Sequence, residues 1–479
     1  MKKSVYITTT LPYVNGEPHV GHAMEFVRAD IINRFKKIQG YDVFFNTGTD
    51  EHGLKIFEKA KENDVEVQAY VDEYAGHFKN ILVDLHVDPE IHFIRTTEPK
   101  HIKAAQEFWN RCKANGDIEK KNYKTKYCVG CELEKTDSEL EDGRCVIHPN
   151  LEIEIREEEN YFFKFSKFQQ KLLDLYNSNP NFVTPSSRLN EIRAFLERGI
   201  EDFSISRLKD KMPWGVPVPD DEDHVMYVWF DALVSYISTL NWPNEEGNFE
   251  KYWAKSDDII QYAGKDNLRQ QSAMWQAMLM SAGLPNSRHI VINGFITSGG
   301  QKMSKSLGNV INPREVIEVF GAEAFRYFVS RELSTFEDSD FTMEVFKQAY
   351  NSNLANGLGN LVSRIMKMAE SNLDGPVEPQ NDALHEEFTE ALESFHIQKA
   401  MDHIWQEISK LDETIQKTEP FKLVKTNPEE AKKIISELVV KLSHIAHTLS
   451  PFMPETAESI KSLIRNNISP VQPLFPRMD

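Results

Sequence analysis

The chain has 479 residues, 40% of them hydrophobic and 11% aromatic, and a net charge of −19. That length suits about three domains, and the composition is ordinary for a globular protein with sizeable cores. The acidic balance excludes a generic basic coat for nucleic acid. The N-terminus, MKKSVYITTTLPYVNGE, has too short an apolar run for a signal peptide. No apolar stretch approaches the roughly 18 residues of a membrane span, and four cysteines do not make a disulfide framework. A cytoplasmic protein in a reducing compartment, without membrane contact, is expected.

In chain order, VYITTT (5–10) reads as a strand closed by a turn over Pro12 to Pro18. A helix is predicted over His19 to Ile38, with Val20, Met24, Val27, Ile31, Phe35 and Ile38 on one face. Gly40 stops it, and YDVFFNTG (41–48) is a second strand. Strand, helix, strand at this spacing is a parallel βαβ unit. Between Pro99 and Tyr127 eight Lys/Arg stand against three acids, either a solvated surface or a local patch for RNA. From Asp117 to Asp223 the alternation lapses into short strand-like pieces, a Cys cluster and charged loops, which predicts an insertion. It then resumes with a helix at 227–240, a strand at 258–264, a helix at 267–283 and a strand at 288–295. The expected fold class is therefore α/β, one Rossmann-like parallel sheet split by an insertion. After Phe346, long amphipathic segments (346–371, 383–416, 429–449) predict an all-α helical bundle. The expected boundaries are 1–116 and 224–325 for the halves of the sheet domain, 117–223 for the insertion, 326–345 for a linker and 346–479 for the bundle.

Three stretches carry chemistry. PHVGH (18–22) puts His19 and His22 in the first turn of a helix that follows a parallel strand, where backbone N–H groups attract anions. Gly21 allows close approach of a ligand to the backbone. Taken alone, the two histidines are as well read as surface residues. GGQKMSKSLGN (299–309) holds Lys302 and Lys305 on a small, polar loop. Lysines are point charges on flexible stems, so the pair suits a mobile clamp over the phosphates of a nucleoside triphosphate. CVGC (128–131) and CVIH (145–148), thirteen residues apart, have the spacing of a Cys3His zinc knuckle in Cys128, Cys131, Cys145 and His148. Four protein ligands leave no open position, so the zinc would be structural. Cys112 is left over as a core residue.

PHVGH and KMSKS, in this order around an insertion, resemble the two signatures of class I aminoacyl-tRNA synthetases. TLPYVNGEPHVGH, NTGTDEHG (46–53), SISRLKDKMPWGVPVP (204–219), YVWFDAL (227–233), QYAGKDN (261–267) and NGFITSGGQKMSKSLGN (293–309) are similar, in the same order, to the methionyl-tRNA synthetase family. The resemblance runs from residue 4 into the helical region. It implies a methionine–tRNA ligase: L-methionine and ATP, with Mg²⁺, give methionyl-adenylate, then charged tRNA(Met), initiator and elongator. His19 and His22 would stabilise the α-phosphate transition state; Lys302 and Lys305 would hold the leaving pyrophosphate, Lys305 dominating. Gly21 would lie against the nucleotide, and Gly264, Asp266 and the backbone at Ile296 would hold ribose and adenine. Asp50 would meet the α-ammonium, and Leu11, Tyr13, Trp229, Ala232 and Tyr236 would wall the side chain. By residue pattern alone, Trp229 and Tyr236 share a helix face but read as core aromatics.

Many relatives carry Ile where Asn267 stands and His where Gln271 stands. Asn267 is expected to face Asp50, a water or the adenylate, and Gln271 to donate towards the substrate sulfur. Methionine is expected to remain preferred. The linker would contact the tRNA stem. Asn360, Arg364 and Phe421, the last standing where relatives often have Trp, would read the anticodon by hydrogen bonds and stacking. The family's extra C-terminal dimerising module is not in the sequence, so a monomer is expected. Rival readings are a leucine, isoleucine or valine synthetase, for whose large editing domain the 107-residue insertion leaves little room, a non-catalytic RNA-binding paralogue, and a small nucleotidylyltransferase.

Overall fold

A computed structural model describes residues 2–131, 133–135, 139–303, 309–378 and 384–479. Six parallel strands form the central sheet, in the order His92–Arg95, Asp42–Thr49, Ser4–Thr8, Asp258–Gly264, His289–Asn293, Val183–Thr184. Ser4–Thr8 is buried along its whole length, as a strand covered on both faces must be. In register, Ile7 lies between Phe45 and Ile260. From the Ser4–Thr8 strand the chain first builds outward on one side and only later returns to build on the other. The crevice between the carboxyl ends of Ser4–Thr8 and Asp258–Gly264 is therefore the topological switch point, the place where such sheets bind ligands.

The Val20–Ile38 helix packs its apolar stripe on this sheet. Lys36 and Lys37 in its last turn suit the dipole. At its middle two arginines solve a burial problem. Arg28 is fully buried and donates to the carbonyls of Val329, Leu333, Ser334 and Thr335 and to Asn293 Oδ1. Burial pulls its pKa down to about 10, so it stays charged at neutral pH. Buried Arg326 pairs with Asp30 at 2.8 Å and donates to the carbonyls of Leu85, Pro451 and Phe452. These contacts tie the helix that begins at His19 to the 322–335 segment and to the bundle.

The insertion is built on a long antiparallel hairpin, Ile118–Cys128 with Glu154–Phe163, whose register runs from Ile118 opposite Phe163 to Tyr127 opposite Glu154. The Cys cluster sits at its tip. One piece of the 117–223 segment does not stay in the insertion: Val183–Thr184 adds a sixth strand to the central sheet beside Ile290 and Val291. Two residues are too short to show a strand period, which is why the sequence conceals it.

Three predicted helices are interrupted, the segment read as 346–371 by a π-type stretch at Tyr350–Gly359. The 267–283 segment opens with a tight turn at Lys265–Asn267 and a wide π-type turn at Gln270–Met274 before regular helix at Trp275–Ser281. Gln276 Nε2 donates to the Gln271 carbonyl (2.8 Å), and such side-chain intrusion is a common cause of a widened turn. The segment read as 383–416 breaks at Phe395, which takes a left-handed φ of 62°. Its buried ring packs on Tyr262 and His289 of the sheet, so tertiary contact overrides helical continuity. The helices are Glu386–Glu393 and Ile397–Thr418, followed by Pro428–Leu449 and Pro454–Asn466.

Candidate active site

At the switch point lies a cavity of about 380 Å³. His19 is the N-cap of the Val20–Ile38 helix: its Nδ1 accepts the N–H of Gly21 (3.1 Å) and of His22 (3.4 Å). His22 Nδ1 in turn accepts the His19 N–H (3.3 Å), and the two rings stack 3.7 Å apart. This is a capping box made of imidazoles. Backbone N–H groups only donate, so both Nδ1 atoms must be unprotonated and both Nε2 atoms carry the hydrogen. The helix start thus offers two ring N–H donors beside its own dipole. Gly21 has a reason beyond ligand approach, because a Cβ there would lie 3.0 Å from the His19 ring.

The opposite wall comes from the loops leaving the first two strands. Asp50 N–H donates to the Pro12 carbonyl (2.9 Å) and Val14 N–H to the Asp50 carbonyl (3.1 Å), which brings Leu11, Tyr13 and Asp50 to one side of the cavity. Glu51, fully buried, anchors the turn: Arg95 donates to both its oxygens (2.7 and 2.9 Å), Thr49 and Thr97 one each. Trp214 Nε1 donates to the Glu51 carbonyl (2.6 Å), so the KMPWGVP segment braces this loop. The Val228–Ser238 helix presents Trp229, Ala232 and Tyr236 to the cavity, and the Gly264–Gln271 stretch presents Gly264, Asp266, Asn267 and Gln271. Ile296 completes the lining beside Asn293, Gly294 and Phe295.

Among the described side chains, every adenylate-site and amino-acid-site residue named from the sequence lines this one cavity. Lys302 belongs to a short hairpin, Gln301–Lys302 against Ile296–Ser298, turned by Gly299 and Gly300 at positive φ. Lys305 lies outside the described residues. Two details of the lining bear on the residues that differ from most relatives. Asn267 donates to Asp266 Oδ1 (3.4 Å). Gln271 Nε2 donates to the Tyr236 hydroxyl, so that N–H is already engaged inside the protein.

Sequence reasoning passed over two acids here. Glu25, one turn beyond His22, lines the cavity and accepts the Thr10 N–H (2.8 Å). Burial, with Asp266 nearby, pushes its carboxyl up to about 7. Asp231 is fully buried behind the pocket helix, its oxygens 2.7 Å from His52 Nδ1 and 2.6 Å from His101 Nε2. Burial opposes its ionisation, yet the two imidazoles hold its pKa down to about 2. Its one sequence clue is a lone charge in the otherwise uncharged VWFDALVSYIS.

At the hairpin tip the donor atoms of Cys128, Cys131, Cys145 and His148 all lie within 4.8 Å of one another. Cys131 Sγ is 3.4 Å from Cys145 Sγ and 3.2 Å from His148 Nδ1. Such separations suit a tetrahedral zinc with bonds of about 2.0–2.3 Å. Gly130 is required, since a Cβ there would lie 2.5 Å from the His148 ring. The knuckle is also part of the site: Cys131 and Lys55 line the cavity, and Lys55 Nζ donates to the Gly130 carbonyl (3.2 Å). Treating the protein with a chelator is therefore expected to weaken ligand binding in this cavity as well as lower the melting temperature, with both restored by added zinc. A fall in stability alone would limit the knuckle to a scaffold.

The cationic stretch of 99–127 is not a bare basic stripe. Lys100, Arg111, Lys120 and Lys121 each lie within 3.4 Å of a carboxylate, and Lys113 within 3.9 Å, as on a solvated surface. In the bundle, Asn360 begins the Asn360–Asn372 helix and is exposed, with Arg364 one turn on, its Nη1 2.5 Å from Asp412 Oδ1. Phe421 stands 49% exposed in the Pro420–Leu423 turn.

The sequence matches the family of tRNA synthetases class I (M) over residues 5–139 and 129–366. It is 38% identical over 477 residues to the methionine–tRNA ligase of Fusobacterium nucleatum subsp. nucleatum, spanning 96% of this chain and 74% of that one. Its identity to the Thermotoga maritima methionine–tRNA ligase is 39% over 472 residues, 95% of this chain and 74% of that one. Among solved structures, Mycobacterium tuberculosis methionyl-tRNA synthetase in complex with methionyl-adenylate superposes with a TM-score of 0.90 at 34% identity, over the whole of both chains. The apo form of the Mycobacterium tuberculosis enzyme gives 0.83 at 31% identity, over 100% of this chain and 99% of that one. Likeness of this extent, on a parallel sheet whose switch point carries both histidines, puts the chain in the methionine–tRNA ligase family of class I tRNA synthetases.

Proposed function

We propose that the cavity binds L-methionine and ATP with Mg²⁺, joins them as methionyl-adenylate with release of pyrophosphate, and passes the methionyl group to tRNA(Met), initiator and elongator. The observation that carries this reading is the convergence, in one cavity at the switch point, of two ring N–H donors at a helix start and the carboxylate Asp50 opposite. In the reaction a methionine carboxylate oxygen bonds to the α-phosphorus as the bond to the pyrophosphate oxygen breaks. His19 and His22, with Gly21 between them, meet the charge growing on the α-phosphate, and Lys302 and Lys305 receive the leaving pyrophosphate. Gly264, Asp266 and Ile296 hold the nucleoside, and Asp50 takes the α-ammonium. Leu11, Tyr13, Trp229, Ala232 and Tyr236 enclose the side chain, with Asn267 and Gln271 at the margin. Cys128, Cys131, Cys145 and His148 would hold one zinc per chain, which when bound stabilises the knuckle.

ATP–pyrophosphate exchange with each proteinogenic amino acid tests this: methionine should give the highest kcat/KM, and a different preferred amino acid overturns the substrate. The same reading makes the protein a cytoplasmic monomer, which sedimentation checks for the free enzyme, and assigns residues 326–345 and 346–479 to the tRNA stem and anticodon. Asn360 and Arg364 would hydrogen-bond to bases and the half-exposed Phe421 ring would stack on one. Phe421→Ala is expected to weaken aminoacylation by about 1–3 kcal/mol while sparing exchange, because stacking acts only with tRNA bound. Equal loss in both assays would make Phe421 a structural residue of the bundle.

A further inference from the structure

The floor of the pocket is wired to a buried chain of amides, and the polarity of that chain can be read from its anchored end. Gln276 Nε2 donates to the Gln271 carbonyl (2.8 Å), and its Oε1 accepts the Ser287 N–H (3.1 Å). A backbone carbonyl only accepts and a backbone N–H only donates, so the orientation of this amide is fixed without reference to its side-chain partners. Gln276 Nε2 also reaches Ser287 Oγ (3.1 Å). The Ser287 hydroxyl, receiving that hydrogen, donates its own to Gln261 Oε1, its close contact. Gln261 then has only Nε2 to turn the other way, and it donates to Gln271 Oε1 (3.4 Å). Gln271 is left with Nε2 for the Tyr236 hydroxyl. All four relay side chains are more than nine-tenths buried, so water does not complete these bonds in their place.

Each link sets the next, and the last link is Tyr236 at the cavity. Its oxygen accepts from Gln271, which leaves the hydroxyl's own hydrogen to be donated within the cavity that Tyr236 lines. We propose that Ser287, Gln261 and Gln276 are positioning residues for amino-acid selection: through Gln271 they make Tyr236 a hydrogen-bond donor, so the pocket floor favours a side chain with an acceptor, the thioether sulfur, over an isosteric hydrocarbon. This rests on the methionine reading above. It gives Gln271 a different part from the one expected for it, holding the hydroxyl in register rather than necessarily meeting the sulfur. The wide turn at Gln270–Met274 belongs to the same device, because the Gln271 carbonyl within it is the anchor of the chain.

Methionine and norleucine differ by sulfur for methylene, so the ratio of their kcat/KM values in ATP–pyrophosphate exchange reads the donor directly. Ser287→Ala and Gln261→Leu, neither of which lines the cavity, are expected to lower that ratio roughly three- to tenfold, the worth of one net hydrogen bond, through a higher methionine KM. Tyr236→Phe should lower it as much, and combining it with Gln261→Leu should add nothing. Gln261→His should keep the ratio near neutral pH, since a neutral imidazole has an acceptor and a donor on opposite edges, and lose it below about pH 6. A ratio unchanged in both Ser287→Ala and Gln261→Leu overturns the relay while leaving methionine as the substrate. A wild type that prefers another amino acid to methionine overturns both.

Discussion

His22→Ala is expected to slow adenylate formation by about 10²-fold or more with little change in methionine KM. Deleting one preorganised donor to developing charge has that effect in comparable sites. Two losses coincide in this variant. The Nε2–H proposed to meet the α-phosphate disappears, and so does the Nδ1 that accepts the His19 N–H, leaving a helix-start donor without its cap. His22→Asn separates them, because its side-chain oxygen can still accept from a nearby backbone N–H while no ring N–H remains. If the imidazole acts on the phosphate, the asparagine variant stays slow although the helix start is capped. Single-turnover rates near wild type in either variant would remove His22 from the catalytic machinery.

The largest effect on stability is expected at Asp231. Asp231→Ala leaves His52 and His101 without the buried carboxylate that both face, and each buried polar group left unsatisfied typically costs about 1–3 kcal/mol. The pH dependence follows from the sign of the shift. Burial works against the carboxylate and the imidazoles more than compensate, so its folded pKa, about 2, lies below the unfolded carboxylate value near 3.9. Its stabilisation is therefore complete above about pH 4 and is lost as the pH falls through about 2. Acid unfolding of the wild type should show this loss, and Asp231→Ala should flatten it while lowering stability at neutral pH. Because His52 follows Asp50 by two residues, and Asp231 lies on the helix bearing Trp229, Ala232 and Tyr236, the methionine KM should rise as well. A variant as stable as wild type at neutral pH would mean the trio is dispensable.

The sequence by itself determined the class of fold, while most of the cavity lining was named through the resemblance to a family rather than from local pattern. A buried parallel strand, a phosphate-type helix start and a Cys-x-x-Cys pair are local patterns, each imposed by backbone geometry or ligand spacing within a few residues, so they survive without tertiary information. The strands at 258–264 and 288–295 and the cluster of Cys128, Cys131, Cys145 and His148 were legible for that reason. Where contacts come from distant segments, local pattern was silent or misleading. Val183–Thr184 is a strand only because Ile290 and Val291 offer a sheet edge. The helix expected through Phe395 breaks because its ring is buried against Tyr262 and His289.

The same division runs through the site. Which residues meet there was readable; what their polar atoms do was not. A hydrogen bond's direction depends on every other bond its partners make, so the imidazole cap at His19 and His22, the ionised Asp231 between two histidines, and the donor sense of Tyr236 exist only once the whole network is assembled. Gln271 shows it best. As a letter in the sequence it is a departure from the family's usual histidine, with either end of its amide free to face the substrate. In the folded chain its Oε1 accepts from Gln261 and its Nε2 donates to the Tyr236 hydroxyl, in a network anchored on a backbone carbonyl and a backbone N–H at Gln276.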